Sequence, residues 1–179
     1  MKKIILYFII CLFAIGCAST NKIYNDITTF QLKKISSKEI PQIEKNQNDV
    51  EKISNVTISQ GYFPELNVYE FSQPEIYNRK VRDINTAVSY YYTKQDSVVR
   101  VISYAWNEQD DNQSIEKIFN TNEKLFTKYF NSNGDVKRTD EPTYWQNKIT
   151  WENKKIVVLQ FILGNDNGAY RTRTIIKYK

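Results

Sequence analysis

The sequence predicts an α+β domain with a mainly antiparallel β-sheet and one long amphipathic helix packed on that sheet. Two observations carry this prediction. Runs rich in β-branched and aromatic residues, separated by turn residues, fill most of the chain after residue 84. A single segment, residues 114–131, interrupts them with apolar residues at helical spacing. Strands grouped around a lone helix are typical of the α+β class.

The chain before residue 84 is less clearly patterned. Residues 30–35 alternate apolar and polar side chains, which indicates a short strand. Ser36 and Glu39 match the S-x-x-E pattern of a capping box, and the apolar spacing after them predicts a helix that continues to residue 53. Further candidate strands lie at residues 56–58 and 66–71.

The C-terminal part is predicted to have the order ββαβββ. Residues 84–93 and 98–106 form a hairpin that is closed by the polar turn at 94–97. The helix at 114–131 gathers its apolar side chains within one arc and ends at the stop signal Asn131-Ser-Asn-Gly134. The three remaining strands are predicted at residues 143–151, 155–163 and 169–179.

The first residues of the chain have the pattern of a secretion signal. Lys2 and Lys3 form a basic start, residues 4–15 are apolar, and Gly16 precedes Cys17 as in a small-residue cleavage site. This pattern resembles the lipobox of bacterial lipoproteins, although Ala14 stands where such motifs usually carry Leu. The resemblance implies a signal peptide at residues 1–16 and a diacylglyceryl group on Cys17, which becomes the first residue of the mature, lipid-anchored protein.

Two alternatives to lipidation are simple secretion after cleavage and retention of the apolar segment as an anchor. A helix that spans a membrane needs about 20 apolar residues, and this run is shorter, which disfavours the retained anchor. In lipoproteins of bacteria with two membranes, an Asp directly after the cysteine retains the protein in the inner membrane. Ala18 stands there, which favours the outer membrane, facing the periplasm.

The polar residues after Cys17 predict a tether at residues 17–29, followed by one domain at residues 30–179. Removal of the signal peptide deletes two lysines and no acidic residue, so the formal net charge falls from +5 to +3. This small excess disfavours nucleic-acid binding, which usually requires a strongly basic face.

The residue types exclude several kinds of catalytic site. The whole chain has no histidine, and of its two cysteines Cys11 lies in the signal peptide and Cys17 would be acylated. This composition excludes Ser–His and Cys–His nucleophile pairs and zinc sites with histidine or thiolate ligands. We therefore expect no cofactor and no metal, and a non-catalytic module that binds another protein or a polysaccharide of the cell envelope.

Two other functions compete with this prediction. Small anchored domains without motifs also suit an immunity-type inhibitor that blocks a toxin at the envelope. A hydrolase of envelope polysaccharide would need two carboxylates that flank a glycosidic bond. The candidate carboxylates for that reaction are Glu108, Asp110, Asp111, Asp140 and Glu141.

The last three strands predict a candidate partner-binding surface. A two-residue turn at residues 153–154 would set Trp151 opposite Ile156, and a five-residue loop at 164–168 would set Arg173 opposite Leu159. These registers place an apolar stripe between basic flanks on one sheet face. An exposed stripe of this kind marks a contact surface, and arginine guanidinium groups suit carboxylates on a partner. The alternative is that residues 30–71 cover the stripe. The candidate residues are Tyr144, Lys148, Leu159, Phe161, Arg171 and Arg173.

The lipidation hypothesis predicts the behaviour of the Cys17→Ser variant. Because two or more acyl chains hold a protein firmly on a membrane, this change should abolish fatty-acid labelling and release the protein from the membrane fraction. Growth with labelled palmitate followed by cell fractionation measures both effects. Unchanged palmitate incorporation in the variant would refute the hypothesis.

Overall fold

The computed structural model describes residues 21–47, 50–53, 63–81, 83–107 and 115–179. Within these residues, ten strands form one eight-stranded antiparallel sheet and one separate two-stranded hairpin. The strands are β1 (Lys22–Tyr24), β2 (Thr29–Gln31), β3 (Val50–Ile53), β4 (Glu75–Val81), β5 (Ile84–Tyr92), β6 (Val99–Asn107), β7 (Asp135–Glu141), β8 (Tyr144–Glu152), β9 (Ile156–Asn165) and β10 (Gly168–Tyr178). The order across the large sheet is β3-β4-β5-β6-β10-β9-β8-β7.

Two α-helices accompany the sheet in the described residues, α1 (Ile40–Lys45) and α2 (Ile115–Phe130). Short 3₁₀ turns lie at Ser37–Glu39 and Pro64–Val68. A mostly antiparallel sheet with few helices confirms the predicted α+β class. The finer ββαβββ order is not confirmed, because β7 adds a strand between α2 and β8.

The strand β7 escaped prediction because of its composition. Five of its seven residues are charged, and only Val136 is a large apolar residue. Strands at the edge of a sheet often carry such residues, because charge discourages pairing with another chain. Its fourth residue, Arg138, forms an ion pair with Asp140 on the same exposed face.

The N-terminal region departs further from the sequence prediction. Residues 22–29, expected in the tether, form β1, the turn after it and the first residue of β2. The Oδ1 atom of Asn25 closes this turn by accepting hydrogen bonds from the amides of Ile27 and Thr28, both at 2.9 Å. Ile27 is buried, so this segment belongs to the folded domain.

The capping box is confirmed, but the helix after it is short. The side chain of Ser36 accepts a hydrogen bond from the backbone amide of Glu39, and the side chain of Glu39 accepts one from the backbone amide of Ser36, as predicted. The helix ends at Lys45, and residues 50–53, expected to extend it, pair with β4 instead. Pairing with a sheet edge overrides the local helical spacing there. Residues 66–71, expected as a strand, contain a 3₁₀ turn, and residues 56–58 lie outside the described part of the chain.

The main hydrophobic core lies between one face of the sheet and the layer formed by α2 and the N-terminal segment. Phe30 on β2 sits at its centre, with its ring centroid 4.7 Å from that of Tyr104 and 4.9 Å from that of Phe126. The ring of Phe126 on α2 lies 5.6 Å from that of Trp151 on β8. Aromatic contacts therefore join four separate parts of the chain, β2, β6, α2 and β8.

A buried ion pair fixes α1 to the sheet. Arg79 on β4 donates from Nε and Nη2 to the two carboxylate oxygens of Glu44 on α1, at 2.9 and 2.6 Å. Its Nη1 donates to the main-chain oxygen of Thr29 at 2.8 Å, and the hydroxyl of Tyr90 donates to the same carboxylate. Burial alone would lower the pKa of Arg79, but the bonds from its guanidinium to Glu44 raise that pKa above its usual value.

Removal of one partner from this pair should be costly. The Arg79→Met substitution leaves the Glu44 carboxylate buried without a cation, so we expect a loss of about 3–5 kcal/mol in the free energy of unfolding. The double variant Arg79→Met with Glu44→Leu removes both charges and should lose less. Urea denaturation measures each value, and Lys80→Met, at the next and exposed residue of β4, is the control. A double variant less stable than the single variant would contradict this account.

Candidate partner-binding surface

Strands β8, β9 and β10 pair with registers that differ from the predicted ones by two residues. Trp151 lies opposite Val158, where Ile156 was expected, and Arg173 lies opposite Phe161, where Leu159 was expected. Side chains alternate between the faces with a period of two, so a shift of two residues leaves every face assignment intact. The predicted grouping of residues on one face is therefore retained.

The turns explain the shift. At the β8–β9 turn the amide of Asn153 donates to the main-chain oxygen of Ile156 at 3.0 Å, so the turn is longer than assumed. At the β9–β10 turn Gly168 lies opposite Asn165, and an irregularity between Ala169 and Arg171 replaces the expected five-residue loop. The φ angle of Gly168 is +110°, a conformation that other residues rarely adopt.

The structure brings most of the candidate residues together on one sheet face. Lys148, Phe161 and Arg173 occupy one row across β8, β9 and β10. Arg171 lies in the neighbouring row, opposite Leu163. Tyr144 lies farther along β8, opposite Glu141 of β7, and is 40% exposed.

The apolar stripe on this face is covered, which corrects the assignment of Leu159 and Phe161 to a contact surface. Both are buried, at 5% and 1% exposure, in a second hydrophobic cluster. Phe63, Leu66 and Phe71 pack on that cluster. On this part of the face, the stripe is therefore covered by the 30–71 region, as the alternative interpretation expected. Burial of this apolar area stabilises the fold.

Lys177, at the border of the covering segment 63–71, helps to hold that segment on the sheet. The Nζ atom of Lys177 lies 5.0 Å from the centre of the Phe63 ring and pairs with the carboxylate of Glu65. This hydrogen bond to Lys177 is the main reason that the pKa of Glu65 is lowered. Lys177 is therefore part of the cover and not of an open surface.

Four cations remain on the uncovered part of the face, and we name them the basic strand surface: Lys137, Lys148, Arg171 and Arg173. Lys137 on β7 lies directly opposite Lys148 on β8. Like charges at directly opposed positions are unfavourable unless an anion lies nearby. None of the four has a carboxylate oxygen within 4.0 Å in the part of the chain that the structure describes. On β7, Asp135 and Glu141 share the face with Lys137 but make no such contact.

The two arginines keep donors available. Arg171 is exposed and uses its Nε to donate to Asn107 Oδ1 at 3.2 Å. Arg173 is half-buried, and its Nε has no hydrogen-bond partner among the described residues. The terminal nitrogens of a guanidinium group form a planar fork that matches a carboxylate or a phosphate. Together the arginines suit an anionic group on a partner.

Lys137 is the member of this surface that the sequence did not reveal. It lies on β7, whose charged residues do not alternate with apolar ones. The one usable signal was Pro142 with Thr143 between two polar runs, since proline is common in the turn of a hairpin. That turn joins β7 to β8 and sets Lys137 opposite Lys148.

The carboxylates considered for hydrolysis do not form a site in the described residues. Asp140 bonds Arg138 Nε at 3.0 Å on an exposed strand, and Glu141 is also exposed. Glu108, Asp110 and Asp111 lie outside the described residues. Among residues with a described placement, no three Asp, Glu, His or Cys side chains are grouped so that they could hold a metal ion.

Comparison with protein-family models, with curated proteins and with solved structures gives no match to this chain. In the described residues, no helix has the length and apolar character needed to cross a membrane.

The covered stripe predicts different effects for two aromatic candidates. Phe161→Ala should lower the free energy of unfolding by about 3–5 kcal/mol, because it leaves a cavity beneath the 63–71 segment. Tyr144→Ala, at an exposed position on the same face, should change it little. Denaturant unfolding of both variants measures the difference. Equal stability of the two variants would show that residues 63–71 do not cover Phe161.

Proposed function

We propose that this protein is a lipid-anchored lipoprotein of the cell envelope, at the outer membrane and facing the periplasm, that binds an acidic partner without catalysis. The observation that carries the binding role is the basic strand surface, where Lys137 faces Lys148 and neither has a carboxylate oxygen within 4.0 Å in the described residues. The anchoring role is supported by the basic, apolar and Gly16-Cys17 sequence at the start of the chain.

Charge supports an acidic partner. The basic strand surface combines two lysines, which act as point charges, with two arginines, which bind carboxylates through two parallel hydrogen bonds. A partner with several carboxylates would relieve the repulsion between Lys137 and Lys148. Complementary charge of this kind gives specificity and rapid association more than raw affinity.

The residue types support a non-catalytic role. The chain has no histidine, so the usual general base near neutral pH is missing. The sheet also leaves the cations on a strand surface and not in a deep cleft, where catalytic groups are usually placed. An acidic envelope protein, including an acidic toxin, and an acidic polysaccharide both match the chemistry of this surface.

Reversal of the arginine charges tests the binding role. The Arg171→Glu and Arg173→Glu double variant of the full chain should lose most of its partner crosslinks and keep the wild-type unfolding free energy, because Arg171 is exposed and Arg173 is only half-buried. A photoreactive residue at exposed position 144 reports the partner in intact cells. Loss of stability with unchanged crosslinks would assign the arginines to the fold and refute the proposed binding.

A matched control separates the site from net charge. Lys124→Glu with Lys128→Glu makes the same change in charge on the exposed face of α2. This variant should keep the crosslinks of the wild type. Equal losses in both double variants would show that only the net charge of the protein matters.

A further inference from the structure

A second basic site lies at one end of the large sheet. A pocket of about 350 Å³ opens where the chain leaves β2, at the β8–β9 turn and at the end of β10. No acidic side chain lines it in the described part of the chain. Five lysines line it: Lys33, Lys34, Lys154, Lys155 and Lys179.

Three of these lysines lack a compensating charge. Lys179 pairs with Glu152, and Lys34 donates to the main-chain oxygen of Lys179. Lys33, Lys154 and Lys155 are exposed, and within the described residues no carboxylate oxygen lies within 4.0 Å of their ammonium groups. The pocket therefore concentrates positive charge that is available to an external anion.

The chain enters the domain at this same pocket. Asn21 is one of its lining residues, and the main-chain oxygen of Asn21 accepts hydrogen bonds from the amides of Leu32 at 2.8 Å and Lys33 at 3.2 Å. Cys17 precedes Asn21 by four residues, which can span at most about 14 Å. If Cys17 carries the acyl chains, as proposed above, this short connection allows the lysines of the pocket to reach the membrane surface.

We propose that this lysine pocket binds the phosphate headgroups of anionic phospholipids in the membrane that holds the anchor. The inference rests on the proposed lipidation, which brings the pocket to the membrane surface. Attraction to an anionic surface is felt within a Debye length, about 8 Å at physiological salt. Lysines that approach the membrane this closely each strengthen membrane association by a factor of roughly five.

The pocket offers more than charge. Tyr129, at the last turn of α2, is half-buried in its wall. A tyrosine ring with an apolar body and a polar tip is favoured at the level of lipid headgroups. Binding at this end would hold the domain upright, with the β9–β10 turn and the β7–β8 turn at the far end of the sheet.

The test uses the full chain, purified from membranes in detergent and reconstituted into vesicles. One set contains phosphatidylcholine alone, and the other also contains phosphatidylglycerol. A membrane-impermeant acetylating reagent modifies the lysines, and mass spectrometry gives the rate at each position. Lys33, Lys154 and Lys155 should react about fivefold more slowly on the anionic vesicles. Lys80, exposed at the other end of the sheet, should react equally on both.

Two variants complete the test. In Lys154→Gln with Lys155→Gln, the protection of Lys33 by phosphatidylglycerol should be lost, whereas Lys80→Gln should preserve it. Equal lysine rates on both kinds of vesicle would overturn the lipid site. Protection by inorganic phosphate in solution, without any effect of the vesicle lipid, would also overturn it and would indicate a site for free phosphate.

The acyl mass of the N-terminal peptide is measured on the same sample. An acylated protein with unprotected lysines refutes the lysine pocket and leaves the anchor intact. A protein without acyl chains whose lysines are still protected by anionic vesicles refutes the anchor and supports the pocket as a lipid site on its own. A protein with neither acylation nor protection refutes both.

Discussion

The buried pair between Arg79 and Glu44 is the interaction on which the arrangement of the N-terminal segment depends. It joins β4 to α1, and through the oxygen of Thr29 it also joins them to the β1–β2 hairpin. A carboxylate and a guanidinium out of water are costly unless both are bonded, so any placement of α1 that separates Glu44 from Arg79 is disfavoured. Packing of apolar side chains alone would allow several placements.

Hydroxyl groups extend this constraint across the sheet. The hydroxyl of Tyr104 on β6 accepts from the amide of Gln31 at 2.9 Å, and the hydroxyl of Tyr178 on β10 donates to the oxygen of Gln31 at 2.8 Å. Burial raises the pKa of Tyr104 to about 12, so its proton is retained at any physiological pH. The central strands thus hold β2 in register with polar bonds inside an apolar layer. These bonds satisfy the buried backbone amide and oxygen of Gln31.

Coverage on both sides explains the composition of the sheet centre. Residues 156–162 of β9 are all buried and, apart from Gln160, apolar, which is typical of a strand with a layer on each face. The 63–71 segment covers only part of the second face, and the cations of β8 and β10 lie where that cover stops. The second hydrophobic cluster and the basic strand surface are therefore two parts of one sheet face, and the 63–71 segment packs only on the cluster.

Local sequence patterns were reliable for the faces of strands and for the capping box, and unreliable for turn lengths and where distant segments decide the outcome. The hairpin of β5 and β6, the capping box at Ser36 and the alternation on β8–β10 follow from short-range chemistry. The strand at residues 50–53 and the covering segment follow from contacts with sheet positions far along the chain, which spacing within the segment does not encode. Lys137 was missed for the same reason, because only pairing with β8 makes its charged segment a strand.

The charged edge strand β7 also has a consequence for contacts between copies of the protein. An open sheet edge is a template for pairing with a second copy of the chain. If two β7 strands paired antiparallel about Arg138, the two Arg138 side chains would face each other. Asp135 of each copy would face Glu141 of the other. Both contacts oppose like charges, so this edge discourages the formation of a continuous sheet between neighbouring molecules.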